Sequence, residues 1–200
     1  MRSQGRSRIA SITLGALAAA SLAACGSTTQ LRLAGDPAAG AIATVQDVAV
    51  GQPVSVGSIM LCLTRPGTAV LRSVSVHQPT GEIAVQAFAV RLNPFVRGLD
   101  GLGAERSTIS GLNADFNPDA PVKAVSGVCP ANTASPPDSE SAQVVELAVQ
   151  VVRDAGDAAG GQALDVVYDV SGATATAVIP FGVWLCSTAC PPEAETPYKP

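Results

Sequence analysis

From Ala41 to Leu185 the chain alternates short apolar runs with turn residues, and the apolar positions recur at strand rather than helix spacing. In Ser73-Val74-Ser75-Val76-His77 polar and apolar side chains alternate strictly, as in a half-buried strand. Thr80-Gly81 supplies a turn before the next run, and Ser171-Gly172 suits a two-residue hairpin between Leu164–Val170 and Ala173–Ile179. Val144–Val152 puts Glu146, Ala148 and Gln150 on one side of a strand. Its Glu, Leu, Ala and Gln content also allows a helix, but its β-branched density and the Asp-Ala-Gly-Asp that follows favour a strand. Strands are expected near Ile42–Val50, Val54–Leu63, Ala69–His77, Ile83–Leu92, Val122–Val128, Gln143–Arg153, Ala163–Val170 and Ala173–Leu185.

Two longer loops interrupt the pattern. Asn93 to Asn113 is glycine-rich, and Pro130 to Asp138 carries prolines that cannot continue a strand. Short strands joined by hairpins, without a convincing helix, predict an all-β fold: an antiparallel β-sandwich of immunoglobulin-like architecture. Trp184 stands two residues before Cys186 rather than midway between two cysteines, so the chain is not a true immunoglobulin domain. The sandwich is expected over residues 41–190, and the proline-rich, acidic stretch 191–200 reads as a loose tail. No internal repeat is evident.

The first residues follow a different rule. Arg2, Arg6 and Arg8 form a basic region, Ile9 to Ala20 is apolar, and small residues precede Cys25 in Leu22-Ala23-Ala24-Cys25. The apolar run is short of the roughly 20 residues a membrane span needs. This layout is that of an export signal, and the Leu-Ala-Ala-Cys sequence resembles the lipobox of bacterial lipoproteins. The resemblance implies that residues 1–24 are removed and that Cys25 carries a diacylglyceryl thioether with acyl chains such as palmitate. The chain would then be tethered to the extracytoplasmic face of the cell membrane. No Arg-Arg pair supports a twin-arginine route. Residues 25–40, rich in Ser, Thr, Gly, Pro and Ala, read as a flexible tether.

Removing residues 1–24 leaves 176 of the 200 residues, enough for one domain. It also takes away three of twelve basic residues and none of sixteen acidic ones, moving the net charge from −4 to −7. That balance argues against nucleic acid and against electrostatic docking on anionic headgroups. Aromatic residues are only 4%, so the core must be built from Val, Ala, Leu and Ile. Arginine outnumbers lysine ten to two and Ala, Val, Gly and Pro abound, a bias that resembles actinobacterial lipoproteins.

With Cys25 lipidated, Cys62, Cys129, Cys186 and Cys190 remain, an even number that an oxidising compartment pairs into two disulfides. Three connectivities are open. Cys62 and Cys186 each end an apolar run, and first and last strands of sandwiches are often neighbours, which favours Cys62–Cys186 with Cys129–Cys190. A zinc site would need closer cysteine pairs, and the only histidine, His77, has no metal-spaced neighbour.

Other chemistry is thin. Asp115-Phe116-Asn117-Pro118-Asp119 begins like a calcium loop, but Ala120 replaces the turn glycine and Ser126 the closing glutamate, so it reads as a self-capped polar turn. His77 could serve a hydrolase as base, yet no G-x-S-x-G elbow occurs, and strand alternation places it on a solvent face with Ser73 and Ser75. Glu82, Asp100, Glu105 and Glu146 are scattered, and the chain has one Trp and two Tyr for a sugar platform. Trp184, flanked by Phe181 and Val183, reads as core. Gly98 to Gly103 lacks the Lys-Ser/Thr of a phosphate loop, and Cys186-Ser-Thr-Ala-Cys190 is not a thioredoxin-like C-x-x-C. The expected function is therefore a non-catalytic binding or assembly module without cofactor, with an envelope protein or polymer as partner. The alternative is an extracytoplasmic hydrolase with an unrecognised site. An importer's solute receptor is disfavoured, because the chain shows no βαβ alternation.

Overall fold

The structure, a computed structural model, describes residues 28–34, 40–92, 103–129 and 144–198. The expected signal segment, Cys25, much of the tether, Gly98–Gly101 with Asp100, and the proline loop at 130–138 lie outside the described residues. The described residues form twelve strands: β1 (Leu31–Leu33), β2 (Ala41–Val45), β3 (Val54–Leu63), β4 (Ala69–Val76), β5 (Ile83–Leu92), β6 (Ala104–Glu105), β7 (Ala124–Val125), β8 (Val145–Arg153), β9 (Ala158–Gly161), β10 (Leu164–Val170), β11 (Ala173–Ile179) and β12 (Phe181–Cys186). A four-residue helix, α1 (Ile109–Leu112), and a 3-10 turn at Pro192–Glu195 are the helical pieces described.

The fold is all-β, as the pattern predicts. A five-stranded sheet runs β1-β3-β8-β5, with β6 added beside β3. A four-stranded sheet runs β11-β10-β4-β7, and a three-stranded one β2-β12-β9. The pairings are antiparallel except β2 with β12, which run parallel. Alternate residues of the three sheets meet in one core. Val145, Leu147, Val149 and Val151 of β8 join Leu164, Val166 and Tyr168 of β10 and Val183 and Leu185 of β12. Burial of each such aliphatic side chain contributes roughly 1.5–3 kcal/mol, so this aliphatic core carries the sandwich despite few aromatics.

The other face of β8 is buried as well. Ile109, Leu112 and Phe116 lie over Ala89 and Ala148 on the outer surface of the five-stranded sheet. A strand covered on both sides explains why the Val144–Val152 run is so apolar.

Several expectations need correction. The run Ala173–Leu185 is not one strand. Pro180, which has no N–H for a ladder, divides β11 in the four-stranded sheet from β12 in the three-stranded one. The expected pairing Cys62–Cys186 with Cys129–Cys190 is wrong: the disulfides are Cys62–Cys129 and Cys186–Cys190. The early strand beside β12 is β2, whereas Cys62 sits on β3. Next to Cys62, Leu63 pairs with Val128 and its carbonyl accepts the Cys129 N–H, which brings Cys129 alongside. Residues 31–33 of the expected tether form β1, with Leu31 buried. The tail docks too, through Ala194 packed with Trp184 and Cys186.

Strand β9 is invisible in the pattern because it reads Ala-Ala-Gly-Gly. Close neighbours exclude side chains at its two glycines: a Cβ on Gly160 would collide with the Val183 carbonyl and the Trp184 indole, and one on Gly161 with Val76 and the His77 carbonyl. At the β10–β11 turn, Ser171 and Gly172 take positive φ of 53° and 80°, as a two-residue hairpin requires.

Candidate functional site

Strands β1 and β11 are edges of opposing sheets, and between them the sandwich stays open. The opening is a mostly apolar groove of about 960 Å³. Its cause lies in β11. The strand reads Ala-Thr-Ala-Thr-Ala-Val-Ile, and Ala175 and Ala177 face the core where β8 and β10 present Val, Leu and Tyr. Small side chains there leave space beside Leu31 and Leu33 of β1, and a furrow remains. The Tyr168 hydroxyl crosses it to accept the Leu31 N–H at 3.2 Å. Among the described residues Arg32 is the one charged residue that lines it, and Thr28 and Thr29 stand at its N-terminal end.

A second, smaller pocket of about 230 Å³ lies near the end of β4. His77, Gln162, Trp184, Glu193 and Tyr198 are among its walls, and Tyr198 also lines the large groove. His77 keeps the side of the strand that alternation predicts, opposite the buried Val74 and Val76, but it is partly covered. Its ring is 20% exposed, with Nδ1 2.9 Å from Asp165 Oδ1 and Tyr198 edge-on at 5.7 Å. Trp184 is core, as its neighbours predict, but its buried Nε1 finds no hydrogen-bond partner among the described residues. The pocket therefore brings together an indole, a carboxylate and an Asp-oriented imidazole. The side-chain hydroxyls on its wall belong to Thr80 and Tyr198.

The remaining residues singled out in the sequence have structural roles. Glu146 is fully buried and pairs with Arg91: Arg91 Nε donates to Oε2 at 2.7 Å, and Phe116 lies 4.8 Å from the guanidinium. Glu146 Oε1 also accepts the Ser58 N–H at 2.6 Å, where a bulge in β3 puts Ser58 at φ 62°. Neither Glu82, Glu105 nor Glu146 lines the two cavities. In the calcium-like stretch, Asn113 Oδ1 accepts the Asp115 N–H and Asn117 Oδ1 the Asp119 N–H, so the turn caps itself. Among the described residues no three His, Cys, Asp or Glu side chains gather to hold a metal, and no helix is long and apolar enough to cross a membrane.

On the four-stranded sheet, Asp169 accepts hydrogen bonds from Thr174 and Arg72. The Thr174 hydroxyl first, then the Arg72 guanidinium, hold its carboxyl below the usual value. Sequence reasoning missed the groove residues, although the alternation of Ala with Thr in β11 is a readable sign of an underfilled edge strand. It also missed Asp165, whose meeting with His77 is set by strand pairing across 88 residues. Compared with family models, with curated proteins and with solved structures, the chain gives no match.

Proposed function

We propose that the protein is an extracytoplasmic lipoprotein, anchored to the membrane through Cys25, and that its domain is a non-catalytic binding or assembly module. The groove between β1 and β11 carries this reading. It is the larger concavity, it is mostly apolar, and its volume lies within the roughly 300–1,000 Å³ range of ligand sites. The basic, apolar and Leu-Ala-Ala-Cys segments support the anchor.

The test is a photoreactive side chain at Thr176, on the groove wall, in the chain produced in its own envelope. A control carries the same group at the exposed Val50, outside the groove. A discrete adduct at Thr176 and none at Val50 is expected. Equal labelling, or none at Thr176, would remove the groove from the function. Membrane fractionation of Cys25→Ser reads the anchor separately: release or stalled processing is expected.

A second reading, an extracytoplasmic hydrolase, has one observation in its favour, the His77–Asp165 pair beside a polar pocket. A base so oriented still needs a nucleophile within hydrogen-bond reach.

A further inference from the structure

We infer that the groove between β1 and β11 takes one acyl chain of a membrane lipid, with an anionic headgroup held at the mouth beside Arg32. This rests on the proposal that the domain binds its ligand in the groove, and it names the ligand class.

Four observations carry it. The groove exists because Ala175 and Ala177 stand at core-facing positions of an edge strand, so the missing volume is aliphatic. An extended peptide would instead add to an exposed strand edge through backbone hydrogen bonds. At β1 one such donor, the Leu31 N–H, is already engaged by Tyr168 Oη. A hydrocarbon chain requires no such bonds.

The third observation is reach. Thr28 lines the groove, and Cys25 lies three residues upstream. Three extended residues span at most about 11 Å. With β1 docked on β3, the expected long tether shrinks. A lipid on Cys25 would therefore hold the groove mouth at the membrane surface, where acyl chains are concentrated. The fourth is charge. Among the described residues, Arg32 is the only charged one lining the groove. A carboxylate or phosphate would pair with its guanidinium there.

The experiment uses the full chain, purified in non-ionic detergent kept below its micelle-forming concentration. It is titrated with a fluorescent palmitate analogue and with the corresponding uncharged alcohol. The wild type and Cys25→Ser should bind palmitate alike. Ala175→Phe, which fills the groove, should weaken binding at least tenfold. Ala173→Leu, at an exposed rim position, should weaken it several-fold and keeps the test decisive if Ala175→Phe does not fold. Arg32→Glu should weaken palmitate threefold or more and leave the alcohol unchanged.

Absence of saturable binding, or binding untouched by both alanine variants, overturns the inference. Binding by Cys25→Ser but not by wild type also overturns it, since the protein's own lipid would then fill the groove. Equal affinity for acid and alcohol removes the headgroup assignment. A Thr176 adduct to a protein or polymer, without palmitate binding, would sink this inference while leaving the groove as the binding site.

Discussion

Tyr168 Oη accepts the Leu31 N–H at 3.2 Å, so a side chain of one sheet satisfies the backbone edge of the other. Tyr168 is 3% exposed, and its ring forms part of the core beneath the groove. The contact fixes β1 and with it the near wall of the cavity. Tyr168→Phe keeps the ring and leaves the Leu31 N–H unpaired beside apolar carbon. A loss of about 1–3 kcal/mol is expected from urea unfolding. Amide exchange at Leu31 should accelerate more than at the centre of β8.

The two disulfides should differ in weight. Cys62–Cys129 spans 67 residues and Cys186–Cys190 only 4. Loop-closure entropy then gives about 4 kcal/mol for the first and about 2 kcal/mol for the second. Unfolding of Cys62→Ala/Cys129→Ala and of Cys186→Ala/Cys190→Ala should show that order. Peptide mapping without reduction should recover those two pairs and no cross-pair.

Arg91 and Glu146 form a buried ion pair, with side-chain exposures of 5% and 0%. Arg91→Met removes the guanidinium from a fully buried carboxylate and should cost about 3–5 kcal/mol. Adding Glu146→Leu removes the buried charge and should restore part of the loss. The recovery is incomplete, because the Ser58 N–H at the β3 bulge loses an acceptor. A double-mutant cycle measures the coupling, and strict additivity would contradict the arrangement.

Asp169 links the fold to pH. Its carboxyl is held below the usual value by Thr174 and then Arg72, so the folded state binds that proton more weakly than the unfolded chain does. The stabilisation is therefore complete above the unfolded value of roughly 3.9 and is lost as pH falls through the lower folded value. Carbon-detected NMR titration should show Thr174→Val moving the Asp169 midpoint upward. Salt should also raise it, since the Arg72 side chain is 59% exposed.

The strands with an apolar spacing of their own were legible in the chain. β3, β4, β5, β8, β10 and β11 lie close to where their apolar spacing puts them. The pieces that escaped are those whose residues are dictated by a distant partner. Gly160 has no room for a Cβ because the Val183 carbonyl and the Trp184 indole of β12 press on it, and Asp165 matters because β10 lies beside β4. The break at Pro180 was a local sign that the long Ala173–Leu185 run concealed. The disulfides failed for a topological reason: spacing along the chain does not say which strand the last one pairs with. The groove is legible only once Ala175 and Ala177 are known to face another sheet.

His77 decides between the two functional readings. Its Nδ1 is engaged with Asp165, and Tyr198 packs against the ring edge. That geometry resembles the oriented base of a triad, but the hydroxyls on the same wall belong to Thr80 and Tyr198 rather than to a serine. As a structural pair, the imidazole contributes one ring contact and one polar contact. His77→Ala should then lower stability by about 1 kcal/mol. At matched abundance it should complement a deletion strain as well as the wild type does. Tyr198→Phe keeps the ring contact and should be silent in the same assay. Loss of complementation by His77→Ala, with abundance and melting preserved, would show that the imidazole does chemistry and would bring the hydrolase reading to the front.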